Sequence, residues 1–109
     1  IRRERRSARQ ANVRYFGKIA IDYTAKTVTV DGRALEFPKK EFEILELLSE
    51  NAGQVFDKER IYELLWGYDA EGGSSVVAEH IRRIRVRLRE VEAERHLETV
   101  WGLGYKWVR

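Results

Sequence analysis

The apolar positions of this chain follow two different periods, and the switch between them divides it into elements. From residue 15 to residue 37 the period is close to two, as in a half-buried strand. The runs 19–23 (IAIDY) and 27–30 (TVTV) are rich in β-branched residues, and Thr24, Ala25 and Lys26 separate them. Asp31-Gly32 is a strong hairpin signal, and residues 33–37 then read as the return strand. A short first strand near Tyr15 and Phe16 completes a small antiparallel meander.

After Pro38 the period changes to that of a helix. Phe42, Ile44, Leu45, Leu47 and Leu48 form a broad apolar stripe, with Glu41, Glu43, Glu46 and Glu50 outside it. Asn51 and Gly53 supply a stop, and residues 54–56 read as an extended link. Asp57 is a good N-cap for a second, short helix, although Arg60 stands where a capping box needs Glu or Gln. Ile61, Leu64 and Leu65 are its expected core face, and it runs into Trp66-Gly67. A polar loop, 68–73, precedes a long third helix with Ser74 or Ser75 as its N-cap. Val77, Ile81, Ile84, Leu88 and Val91 form one stripe of that helix, which is expected to fray through residues 92–95. Residues 99–108 make a closing hairpin with its turn flanked by Gly102 and Gly104.

The order is strands, helix, short strand, helix, loop, long helix, hairpin, which predicts an α+β domain. A short helix, a loop and a helix with a basic outer face make a helix-turn-helix, and a hairpin after it would be a wing.

Charge gives the third helix its meaning. Arg82, Arg83, Arg85, Arg87 and Arg89 all fall outside its apolar stripe. With Val77 facing the core, Ser75, Glu79, Arg82, Arg83 and Val86 point away from it. His80 and Arg87 lie on one flank, Arg85 and Arg89 on the other. Side chains opposite the core are placed to reach base edges, and flanking arginines to meet phosphates on the groove walls. Glu79 could accept from a cytosine amine or hold Arg83 through an i,i+4 pair. Residues 1–18 carry seven basic residues and one acid, while the whole chain is only +3, so the remainder is mildly acidic. A polarised map of this kind orients a protein on a polyanion.

Other classes find less support. The chain has no Cys, which removes disulfides and thiolate chemistry and fits a reducing, cytoplasmic setting. No apolar run approaches the roughly 20 residues of a membrane span, and no signal-peptide pattern is present. His80 and His96 are the only histidines. No nucleophile–base pair, phosphate-cradling loop or metal-ligand spacing accompanies them, so neither an enzyme nor a cofactor is expected. The alternative from another class is a protein-interaction module that uses the acidic first helix and the loop, with only non-specific DNA affinity.

Four motifs occur in order: FPKKEFEILELL (37–48), DKERIYELLWG (57–67), VAEHIRRIR (77–85) and TVWGLGY (99–105). Together they resemble the DNA-binding effector domain of OmpR/PhoB-type response regulators, over about residues 15–109. The resemblance implies a winged helix-turn-helix with a four-stranded N-terminal antiparallel sheet, three helices and a C-terminal β-hairpin wing. It implies transcriptional control in a bacterial two-component system, with a receiver domain phosphorylated on Asp. Residues 1–12 then resemble a basic interdomain linker, and 13–109 the winged-helix domain.

Carried over by position, Val76, Glu79 and Arg83 match base-facing positions of the recognition helix. His80, Arg82 and Arg85 match phosphate-facing ones. Trp66 matches a Trp that meets phosphate through its indole N–H. Thr99, Trp101 and Tyr105 match wing residues near the backbone and minor groove. Two departures stand out. Many members have Arg where Trp101 stands, and Trp supplies no cation to a minor groove. Many also have Arg where Ser75 stands. The implied partners are promoter direct repeats, bound by a head-to-tail dimer, and RNA polymerase. The loop that opens at Tyr68 and closes at Gly73 offers Asp69 and Glu71 to a basic polymerase surface.

Overall fold

Four short strands open the described part of the chain in this computed structural model, which describes residues 12–67 and 72–109. They are β1 (Val13–Phe16), β2 (Ile19–Asp22), β3 (Thr27–Val30) and β4 (Arg33–Ala34), joined antiparallel in chain order. The register pairs Ile19 with Val30 and Ile21 with Val28, so the alternating β-branched residues share one buried face. Asp31 and Gly32 both adopt positive φ, 52° and 82°, as a two-residue hairpin turn requires. Asp22 Oδ1 accepts the Thr24 and Ala25 N–H groups at 3.0 and 2.9 Å, which shapes the β2–β3 turn. The return strand is shorter than the pattern predicts: after Ala34 pairing continues only through Leu35 N–H to Val28 C=O, 2.9 Å. Pro38 follows four residues later and offers no N–H to a ladder.

Residues 37–109 form a second unit of three helices and a hairpin. The helices are α1 (Lys39–Glu50), α2 (Lys58–Trp66) and α3 (Ser75–Glu90). The hairpin is β5 (Leu97–Val100) with β6 (Gly104–Trp107). Asp57 caps α2, accepting the Arg60 N–H at 2.7 Å. Phe42, Ile44, Leu45, Leu48, Ile61, Val77, Ile81, Ile84, Leu88 and Trp107 build the core of this unit.

Several expectations change here. Glu41 is not outside the α1 stripe but buried at 2% exposure. Leu64 leaves the core face of α2 and is 47% exposed, because a nine-residue helix presents only Ile61 fully to its neighbours. Neither serine caps α3 through its side chain. Ser74 Oγ donates instead to Glu59 Oε2 at 2.9 Å, while the backbone turns in through Val77 N–H to Ser74 C=O. The link 54–56 joins the wing: Phe56 and Tyr105 exchange two backbone hydrogen bonds of 2.9 Å, and Gly53 N–H reaches Trp107 C=O at 2.8 Å.

The C-terminus of α3 stops sharply rather than fraying. Ala93 N–H bonds Leu88 C=O at 2.8 Å and Glu92 N–H bonds Arg89 C=O at 3.0 Å, with Glu92 at φ 58°. This is a Schellman closure with a side chain where glycine is favoured. Val91 is therefore the cap of the helix and not a member of its stripe. Glu92→Gly is expected to raise stability by about 1 kcal/mol, read as a shift in the urea midpoint at constant m. A loss of stability would refute the strain at Glu92.

Candidate nucleic-acid interface

The outward side of α3 follows from the core stripe on its other side. Val77, Ile81, Ile84 and Leu88 are buried. One-half turn away, Ser75, Arg82, Arg83 and Val86 are exposed and Glu79 is partly so, while Val76, about 100° from Val77, is half-buried at the edge of this face. The outer residues are not independent. Glu79 Oε1 accepts Arg82 Nε at 3.1 Å, and Glu79 Oε2 accepts Arg82 Nη2 at 2.7 Å and Arg83 Nε at 3.0 Å. These bonds, with Arg82 contributing most, lower the Glu79 carboxyl from 4.5 to about 2, and raise the Arg82 guanidinium in turn. The pairing is therefore complete above about pH 4.5 and is lost as pH falls through about 2.

The flanking arginines are held elsewhere. Arg85 donates to the Leu97 carbonyl at 3.3–3.4 Å and to Thr99 Oγ1, so it braces the wing against α3. Burial lowers its guanidinium below the ordinary value, although an arginine stays charged. Arg87 lies over the Phe37 ring and donates Nε to Glu41 at 3.3 Å, which answers the buried carboxylate. Arg89 makes a long 3.8 Å pair with Glu94.

Trp66 and His80 come together where α2 meets α3. Trp66 stacks on Tyr62, with centroids 5.5 Å apart, and takes His80 edge-on at 5.3 Å. His80 Nδ1–H donates to the Val76 carbonyl at 2.8 Å, so its Nε2 edge is the one left for a ligand. Lys40 completes the cluster: its Nζ lies 5.2 Å from the Trp66 ring and donates to the Leu65 carbonyl at 2.7 Å, closing an orphan carbonyl of α2. The sequence reading missed Lys40, since nothing local marks a partner 25 positions away.

In the wing, Thr99 pairs with Tyr105, and Trp101 sits at the tip, 91% exposed. Leu103 beside it is 62% exposed and was also missed; its only signal was its place between two turn glycines. Trp101 is thus almost wholly open to solvent, and the tip is apolar. Among the described residues no cluster of His, Cys, Asp and Glu could hold a metal, and no helix is long and apolar enough to cross a membrane. The expected linker, up to residue 11, and loop positions 68–71 lie outside the described residues.

Residues 32–107 match the family described as "Transcriptional regulatory protein, C terminal". The chain belongs to this family, as an effector domain of the OmpR/PhoB type. It is 37% identical over 98 residues to the transcriptional regulatory protein ResD of Bacillus subtilis, covering 88% of this chain and 41% of that protein. The response regulator DrrB of Thermotoga maritima, an OmpR/PhoB homologue, superposes with a TM-score of 0.79 at 38% identity, over 89% of this chain and 44% of DrrB. The RstA DNA-binding domain of Klebsiella pneumoniae, solved in complex with the RstA box, gives 0.76 at 26% identity, over 89% and 97%. The chain spans about two fifths of the length of the curated relatives it matches. The OmpR/PhoB-type winged helix expected from the four motifs is the fold found.

Proposed function

We propose that this effector domain binds duplex DNA sequence-specifically, with α3 in the major groove and the β5–β6 wing along the backbone or minor groove. The observation that carries this reading is the outer face of α3, where Glu79, Arg82, Arg83 and Val86 stand opposite a fully apolar inner stripe. A major groove about 12 Å wide admits one helix presented in this way. The likeness to the RstA DNA-binding domain, solved in complex with the RstA box, supports duplex DNA as the ligand. Arg83 and Val76 face bases. His80, through Nε2, and Trp66, at the end of α2, meet phosphates. Ser75 at the helix start can donate only a hydroxyl to the backbone. Thr99 and Tyr105 steady the wing, and Arg85 and Arg87 act first as braces of the recognition helix.

In the whole protein the domain is the output of a two-component response regulator. The receiver domain lies N-terminal to it, with residues 1–12 as the linker. Two copies bind head-to-tail on direct repeats, and loop 68–73 faces RNA polymerase.

Selection from a random duplex pool tests the reading, and a defined half-site is the expected result. Affinity falls steeply with salt because phosphate contacts release counterions. Arg83→Ala costs about 2 kcal/mol of binding and relaxes one base preference. Salt-independent binding, or an unselective pool, would point instead to a protein-interaction module.

A further inference from the structure

Two acids, Glu79 and Glu90, lie on the outer face of the recognition helix, and the Glu79 carboxylate accepts three hydrogen bonds from two arginines. We infer that Glu79 is a specificity-determining positioning residue, which locks Arg82 and Arg83 into one plate and suppresses non-specific attraction to phosphate. The inference rests on the DNA-binding reading above.

Three observations carry it. The first is the bond count: a carboxylate offers about four acceptor sites, and three are filled by the two guanidiniums. Little capacity remains for a cytosine amine, so holding the arginines and reading a base directly compete. The second is exposure. The side chains of Arg82, Arg83 and Glu79 are 63, 53 and 42% exposed, and pairs so open to water contribute little to folding. The arrangement therefore shapes the surface more than it holds the fold.

The third is what the lock leaves open. Arg82 uses Nε and one Nη2 hydrogen, and Arg83 uses Nε alone. The Nη1 side of each fork remains for a two-point contact with guanine O6 and N7. Held forks lose less rotamer freedom on binding than free ones. The same carboxylate repels any phosphate that approaches, and it reduces two positive charges to a net of one. A sequence that presents guanine edges in the right place is matched by the plate; a bare phosphate backbone is not.

The test compares the wild-type domain with Glu79→Gln and Glu79→Asp. Each is titrated with the duplex selected from the random pool and with a scrambled duplex, over a series of salt concentrations. Glu79→Gln keeps the size of the side chain and removes its charge. It is expected to bind the scrambled duplex roughly tenfold more tightly at low salt, with a log–log salt slope steeper by about one. The ratio of selected to scrambled affinity falls by a similar factor. Glu79→Asp, one methylene shorter, holds one arginine and gives intermediate values. Circular dichroism and the urea midpoint stay within error of wild type, which separates this outcome from simple helix damage.

Unchanged scrambled-duplex affinity and slope in Glu79→Gln would overturn the inference. So would a loss confined to the selected duplex and abolished by replacing one C·G pair, which would make Glu79 a direct base contact. If the wild-type domain selects no sequence at all, the DNA-binding reading itself fails. A wild type that selects a site while Glu79→Gln matches it in every slope removes only the lock.

Discussion

Gly104→Ala is expected to destabilise the domain by at least about 3 kcal/mol, a drop in Tm on the order of 10 °C or more. A Cβ at Gly104 would stand 2.2 Å from the Phe56 carbonyl oxygen and 2.7 Å from Phe56 C and Asp57 Cα. All three are backbone atoms, so no rotamer change relieves the clash. The position also has φ 147°, which L side chains rarely adopt. The chain must separate Phe56 from Tyr105 to make room, and that breaks both 2.9 Å hydrogen bonds joining the link to the wing. Gly102 provides the comparison: its φ is 79° but nothing lies within 4 Å of its Cβ position, so Gly102→Ala costs only about 1 kcal/mol. Thermal melts of the two variants check both figures. Equal losses would show that backbone conformation alone, and not the close approach to Phe56, sets the requirement at Gly104.

The second large effect is at Arg87. Arg87→Ala is expected to cost about 3 kcal/mol, the lower end for breaking a buried pair, because the arginine is itself 40% exposed. It strands the Glu41 carboxylate, which is 2% exposed and bonded to Arg87 Nε at 3.3 Å. The double variant Glu41→Leu, Arg87→Met should recover most of the loss, since apolar side chains of similar volume replace the pair without desolvating charge. Urea unfolding reads both variants. Arg87→Ala with wild-type stability and reduced DNA affinity would make Arg87 a phosphate contact and not a brace. Arg83→Ala makes the opposite prediction, a binding loss with the fold intact.

The signal for Glu41 was present in the sequence but was outweighed by residue type. Glu41, Ile44, Leu45 and Leu48 stand at i, i+3, i+4 and i+7, the spacing of a buried helix face. A carboxylate at the head of that series reads as solvated unless its cation is known, and the cation lies 46 positions away. Leu64 is the converse case. Its spacing from Ile61 fits a core face, yet it is 47% exposed. The end of α3 was misjudged because Glu is a rare residue for a left-handed cap, so the Schellman stop left no glycine to mark it.

Local rules therefore carried the elements. Alternation produced β2 and β3, Asp31-Gly32 their neighbouring hairpin, Asp57 the start of α2, and the Val77, Ile81, Ile84, Leu88 series the inner side of α3. These depend on periods and turn conformations that span a few residues, so the sequence by itself determined them and, with them, the family. Which arginines remain outward was decided only in the tertiary structure. Arg85 is taken by Leu97 and Thr99, 12 and 14 positions on, and Arg87 by Glu41; Arg82 and Arg83 stay on the surface, gathered by Glu79. Charge along a helix says how many cations there are, but only packing assigns each a partner, because a guanidinium bonds whatever acceptor the fold brings within about 3 Å.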